Sequence, residues 1–220
     1  MKTFLFKPLT VSLFAAALLV GSLTACVPLV IGGAMAGGTL VATDRRTSGA
    51  QLEDEGIELR GSSRLRTGLG ERGHVNLTSY NRQVLLTGEV PTAQDKQLVE
   101  QIISRVENVT SVVNELAVVG NSSLTQRSGD ALITGRVKAQ LVDAPDLFAN
   151  AFKVITERGT TYLMGRVTQR EADRATNVVR STSGVQKVIR IFDIISEEEL
   201  TRLLPTPAKP QPAGAKPAAN

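Results

Sequence analysis

The chain has one cysteine, one histidine and no tryptophan among 220 residues, and only 4% of them are aromatic. Each scarcity excludes something. A lone cysteine forms no internal disulfide and argues against a structural zinc site. So few aromatic rings leave little with which to grip a flat cofactor or stack nucleobases. Charge is also modest, at +4. It drops by two, to +2, for a chain beginning at Cys26, because Lys2 and Lys7 precede it. A nucleic-acid binder carries a stronger basic field. Catalytic patterns are missing as well. His74 opens a predicted strand with no serine, cysteine or carboxylate pattern around it and reads as a solvated strand-end residue. Asp143 and Asp146 flank Pro145 and suggest a turn, since a calcium loop needs more oxygens at alternating positions. "GGAMAGG" lacks the Lys-Ser/Thr of a phosphate loop. No enzyme activity, cofactor, metal, small-molecule substrate or nucleic acid is expected.

Long apolar runs are absent except at the start. Lys2 and Lys7 form a positive leader, Leu9 to Val20 is an apolar core of 12 residues, and small residues lead to Cys26. That is the grammar of a secretory signal peptide, and the core is too short to span a bilayer. "LTAC" (Leu23 to Cys26) resembles the bacterial lipobox, in which cleavage exposes a cysteine that receives acyl chains. Residues 1–25 are therefore expected to be removed and Cys26 lipidated; two acyl chains already give stable anchoring. Val27 follows Cys26. In lipoproteins of this kind an Asp there implies inner-membrane retention, so the resemblance implies the periplasmic face of a Gram-negative outer membrane. Val27 to Ala42 remains apolar but carries four glycines, and suits either a flexible tether or a segment lying on the bilayer.

A second pattern is internal repetition. Leu86, Gly88 and Val90 match Leu163, Gly165 and Val167 at a spacing of 77. Ile57, Arg60 and Leu65 match Ile133, Arg136 and Leu141 at 76, as Val109 and Val112 match Val185 and Val188. Two copies of one small domain follow. Each copy reads helix (from Gly56, from Asp130), strand pair, helix (from Thr92, from Gln169) and last strand. The strand pairs turn at Asn81–Arg82 and at Glu157–Gly159. The expected class is α+β, with two tandem αββαβ domains whose helices lie on one sheet face. The expected organisation is a lipidated N-terminus and tether at 26–55, domain one at 56–120, a linker at 121–127 and domain two at 128–196. A C-terminal tail at 197–220 follows. Its glutamate run opens on a helix start capped by Ser196, and its Pro- and Ala-rich part from about 205 is disordered.

The "LxGxV" to "GVxxV" spacing of about 20 residues resembles the BON domain. Gly165, Val167, Gly184 and Val185 fit it, while Asn108 replaces a usual glycine in copy one. With the lipobox, the chain resembles the dual-BON outer-membrane lipoproteins from about Thr43 to Ile195. That resemblance implies an envelope protein that binds anionic phospholipid and supports outer-membrane integrity, often at the division site. It also implies that the first helix of the second domain is the lipid contact. A larger aromatic often stands there at the position of Leu132, so insertion by this chain would be shallower.

The two copies differ in ways that locate this contact. Ile57 to Val119 holds seven basic and seven acidic residues, whereas Ser128 to Ile195 holds ten and seven. On a helical wheel, Ile133, Val137 and Leu141 face the sheet. Leu132, Gly135, Ala139 and Val142 share the opposite face, with Arg136 and Lys138 at its margins. An apolar stripe with basic edges suits a membrane of phosphatidylglycerol or cardiolipin. The corresponding Gly56, Leu59, Ser63 and Arg66 are more polar. The same stripe would also suit packing on copy one. The alternative function is a protein-interaction adaptor, anchored at the membrane and acting on an envelope or cell-wall protein.

Overall fold

The computed structural model describes residues 44–203; the expected signal peptide, Cys26, the segment to Thr43 and the tail from 204 lie outside the described residues. Both copies have the expected αββαβ order, with the last strand of copy one split into two short pieces that both run parallel to the same central strand. Copy one is built from α1 (Ser48–Gly68), β1 (His74–Tyr80), β2 (Gln83–Val90), α2 (Ala93–Ser104), β3 (Ser111–Asn114) and β4 (Ala117–Val118). Copy two has α3 (Leu124–Asp143), a short 3-10 turn, β5 (Phe152–Glu157), β6 (Thr160–Thr168), α4 (Gln169–Arg180) and β7 (Lys187–Ile195). A final helix, α5 (Glu197–Leu203), starts where expected: the Glu199 N–H donates to Ser196 Oγ at 3.1 Å. None of the described helices is long and apolar enough to cross a membrane.

The first helix of each copy starts earlier than the apolar pattern suggests. α1 begins at Ser48, inside the stretch read as tether, because the Thr47 hydroxyl accepts the Ala50 N–H. α3 begins at Leu124, inside the expected linker, under a capping box between Ser123 and Gln126. Both extensions escaped the helical wheel because they bury no apolar residue: the inward residue of the first is Asp54, and the second, 124–129, has no buried side chain and leads into the buried Asp130.

Those aspartates explain the hairpins. β1 and β2 are joined by Asn81 and Arg82, both at positive φ (49° and 67°), and β5 and β6 by Arg158 and Gly159 (52° and 70°). Such turns match the twist of the strands but strain an arginine. The buried Asp54 carboxylate accepts the Asn81 and Arg82 N–H groups at 2.8 Å each, and the Ser79 hydroxyl at 2.7 Å. Asp130 does the same for Arg158 (2.8 Å) and Gly159 (2.9 Å). One carboxylate per copy thus holds two N–H groups that the tight turn leaves unpaired.

Strand order is β1-β2-β3, with β4 also beside β2, and β5-β6-β7; the outer pairs are antiparallel and the last strands parallel. Helices cover one face of each sheet. Val84, Leu86 and Val90 pack under α1 and α2 with Ile57, Leu65, Val99 and Ile103, and Leu163 and Val167 pack under α3 and α4 with Val137, Leu141, Ala175 and Val179. The opposite sheet faces meet each other: Tyr80 and Leu85 share a third core with Tyr162, Met164 and Ile191. The central strands β2 and β6 are therefore buried on both sides, which accounts for the consecutive apolar residues Val84–Leu86 and Tyr162–Met164. At Gly88 (φ 109°) a Cβ would fall 2.0 Å from the His74 carbonyl oxygen, so the repeat's glycine is a steric requirement. Asn108, where copy one departs from the glycine pattern, has φ 67°, a conformation asparagine tolerates and its counterpart Gly184 shares (φ 97°).

Candidate functional site: the outer face of the second first-helix

In α3 the Cβ vectors advance about 100° per residue. Val137 and Leu141 are fully buried and Ile133 is half-buried against the copy-two core. The opposite side is open: Leu132 is 64% and Val142 69% exposed, and Gly135, Arg136, Lys138 and Ala139 are all exposed. The earlier helix start adds Leu124, 80% exposed and eighteen residues, five turns, from Val142 on the same side. The sequence reading missed it because that reading began the helix at Asp130. The apolar stripe so extended runs ~27 Å along the helix. A hollow of ≈ 300 Å³ lies beside its C-terminal half, lined by Lys138, Leu141, Val142, Ala149, Asn150 and Phe152.

The cations on its margins are uncommitted. Arg136 makes only a long 3.5 Å contact to the Ser183 carbonyl, and neither it nor Lys138 has a carboxylate partner among the described residues. Copy one differs at the matching place. Arg60 is held by Glu53 at 2.6 Å and reaches the Glu107 carbonyl at 3.3 Å. Hydrogen bonds from Asn108 and Arg60 keep the Glu53 carboxyl below its usual range. Where copy one has Glu53, copy two has Gly129, 76 residues on.

Copy one is less polar than its wheel suggests: Leu52 and Leu59, two turns apart, are 71% and 73% exposed. Phe148, after α3, is also half exposed, with the Arg45 guanidinium 5.6 Å from its ring centre.

Ahead of α1, the chain is pinned to both copies. The buried Arg45 makes a bidentate pair with Glu171 (2.7 and 2.8 Å) and donates to the Arg166 carbonyl at 3.1 Å. Burial alone would raise the Glu171 carboxyl, but Arg45 and the Thr168 N–H outweigh it and hold it low. Arg46 pairs with Asp54 at 2.6 Å and lies 4.3 Å over the Tyr80 ring. Burial likewise opposes ionisation of Asp54, and hydrogen bonds from Ser79, Arg82, Arg46 and Asn81 overcome it.

His74 corrects its sequence reading. It is not freely solvated: its side chain is 24% exposed and faces the buried Glu89. Asp146 forms an exposed pair with Arg174 at 2.9 Å, as befits a turn.

The BON domain family matches residues 58–120 and 129–194, and so each of the two repeats. The chain belongs to the BON domain family. It is 39% identical over 172 residues to the outer membrane lipoprotein DolP of Haemophilus influenzae, covering 77% of this chain and 89% of that one. It is 33% identical over 154 residues to a 21 kDa hemolysin of Actinobacillus pleuropneumoniae (69% and 79% covered). It is also 28% identical over 117 residues to the osmotically-inducible protein Y of Escherichia coli (52% and 58% covered). None of these BON relatives bears an enzyme's name.

Proposed function

We propose that this BON protein is a non-enzymatic lipoprotein, acylated at Cys26 and held on the periplasmic face of a Gram-negative outer membrane. There its second domain binds anionic phospholipid, phosphatidylglycerol or cardiolipin, through the outer face of α3. Its role is to support outer-membrane integrity, at the division site among other places. The observation that carries this reading is the exposed stripe of Leu124, Leu132, Gly135, Ala139 and Val142, bordered by Arg136 and Lys138, which have no carboxylate partner among the described residues. Apolar side chains of such a helix enter the acyl boundary while the cations meet phosphates. The likeness to a named outer membrane lipoprotein over most of both chains supports the location.

The test is co-sedimentation of a chain lacking residues 1–26 with phosphatidylglycerol vesicles. Arg136→Glu reverses one near-surface charge, worth ~1 kcal/mol, and should weaken binding by ~1–2 kcal/mol, less so at high salt. Arg60→Glu should change little, because Arg60 is already engaged by Glu53. If both variants bind like the parent, α3 is not the membrane contact. The second reading, an adaptor for an envelope or cell-wall protein, is favoured by the exposed Leu52 and Leu59 on copy one. It then takes precedence.

A further inference from the structure

The sole histidine stands at a junction of the two BON domains. His74 and Glu89 are direct partners across the β1–β2 hairpin of copy one, and Glu157 ends β5 of copy two. One ligand atom from each lies within 4.8 Å of the others. Glu89 is wholly enclosed at 0% exposure and Glu157 is 7% exposed. His74 Nδ1 is 3.3 Å from Glu89 Oε2, yet among the described residues it makes no hydrogen bond, and the buried Glu89 Oε1 has none either. The remaining partners are few: Ser122 Oγ donates to Glu89 Oε2 at 3.2 Å, and Asn76 Nδ2 to Glu157 Oε2 at 2.8 Å. Arg158 Nη1 forms a long ion pair with Glu89 Oε1 at 3.7 Å, beyond hydrogen-bond distance, from a side chain that is 41% exposed.

An enclosed carboxylate with an unpaired oxygen is costly, and a second buried carboxylate beside it makes it more so. We propose that His74, Glu89 and Glu157 form a site for a divalent transition-metal cation, best matched to zinc, which ties the two domains together. One imidazole nitrogen with two carboxylates is a zinc donor set, and three protein ligands leave a fourth position for water. Tetrahedral ligands at ~2.0–2.1 Å from zinc stand ~3.3 Å apart, the separation His74 and Glu89 already have. Glu157 needs only to close inward. The metal adds positive charge between two buried carboxylates, to which Arg158 contributes only a long ion pair at 3.7 Å, and bridges a hairpin of one copy to a strand end of the other. Magnesium, which prefers six oxygens and keeps its waters, is a poor match.

The experiment takes the full, untagged chain, stripped with a chelator, and titrates it with zinc or magnesium chloride by calorimetry and thermal melting. One zinc per chain should bind at micromolar or tighter affinity and raise the melting temperature, with no such effect of magnesium. His74→Ala and Glu157→Gln should each weaken zinc binding at least tenfold. Absence of saturable zinc binding by the parent, or parental affinity in either folded variant, overturns the proposal. A measurement without variants backs this up. His74 is the chain's only histidine, so its imidazole resonances are unambiguous. Paramagnetic cobalt should shift and broaden them at one equivalent, and zinc should reverse the effect; unperturbed resonances refute the site.

Discussion

Leu132→Glu is the sharpest probe of the lipid surface. Full burial of a leucine side chain is worth ~1.5–3 kcal/mol. Leu132 is 64% exposed, so its entry into the acyl boundary is worth about two-thirds of that, ~1–2 kcal/mol. The carboxylate that replaces it meets an anionic surface and adds ~1 kcal/mol of repulsion. The total, ~2–3 kcal/mol, is a ~30- to 150-fold loss of vesicle affinity. The fold should not notice. The inward residues are Val137 and Leu141, and substitutions on an open surface stay within about 0.5 kcal/mol. Co-sedimentation with phosphatidylglycerol vesicles gives the affinity, and circular dichroism melts of the same sample give the stability. Unchanged vesicle affinity with an unchanged melt would refute the membrane role of α3. A collapsed melt would refute the placement of Leu132 on its outer face.

Arg45→Ala leaves Glu171 buried and unpaired, and losing one partner of such a pair costs ~3–5 kcal/mol, or ~6–20 °C in the melt of a domain pair this size. Acid should also destabilise the protein. Asp54 and Glu171 have folded-state values below their ordinary 3.8 and 4.5, so their contribution is complete above those values and is lost as pH falls through the depressed ones. Urea midpoints should therefore drop from pH 6 to pH 3, and Asp54→Asn should lower the pH 6 midpoint and flatten the fall. Cys26→Ala should release the protein from the sedimenting outer membrane, and mass spectrometry of the parent should show the added acyl chains.

Several features were legible in the order of residues alone. The repeat was visible because Gly88 and Gly165 and their valine neighbours serve the same backbone positions in both copies. The buried side of α3 was visible because Val137 and Leu141 repeat every four residues. The start of that helix was not. Residues 124–129 bury no side chain and so give no apolar period, and the first inward residue after them, Asp130, is polar and closes a turn 28 residues later. The state of Arg136 was equally hidden. A charge in a sequence does not say whether it is paired, and the difference from Arg60 rests on Glu53, seven residues away in copy one, having Gly129 as its counterpart.

By itself the sequence determined the class of element at each place and the twofold repetition, and it carries the leader and lipobox patterns on which the proposed export and lipidation rest. These depend on local spacing, which the chain carries along its length. The tertiary structure alone decided which faces meet. Packing sheet against sheet buried Tyr80, Leu85, Tyr162 and Met164, and brought Glu157 of one repeat to His74 and Glu89 of the other. It also closed Arg45 onto Glu171, 126 residues apart. Such contacts arise because two domains with one open sheet face each lower their free energy by covering it. No periodicity in either copy records which partner will do so.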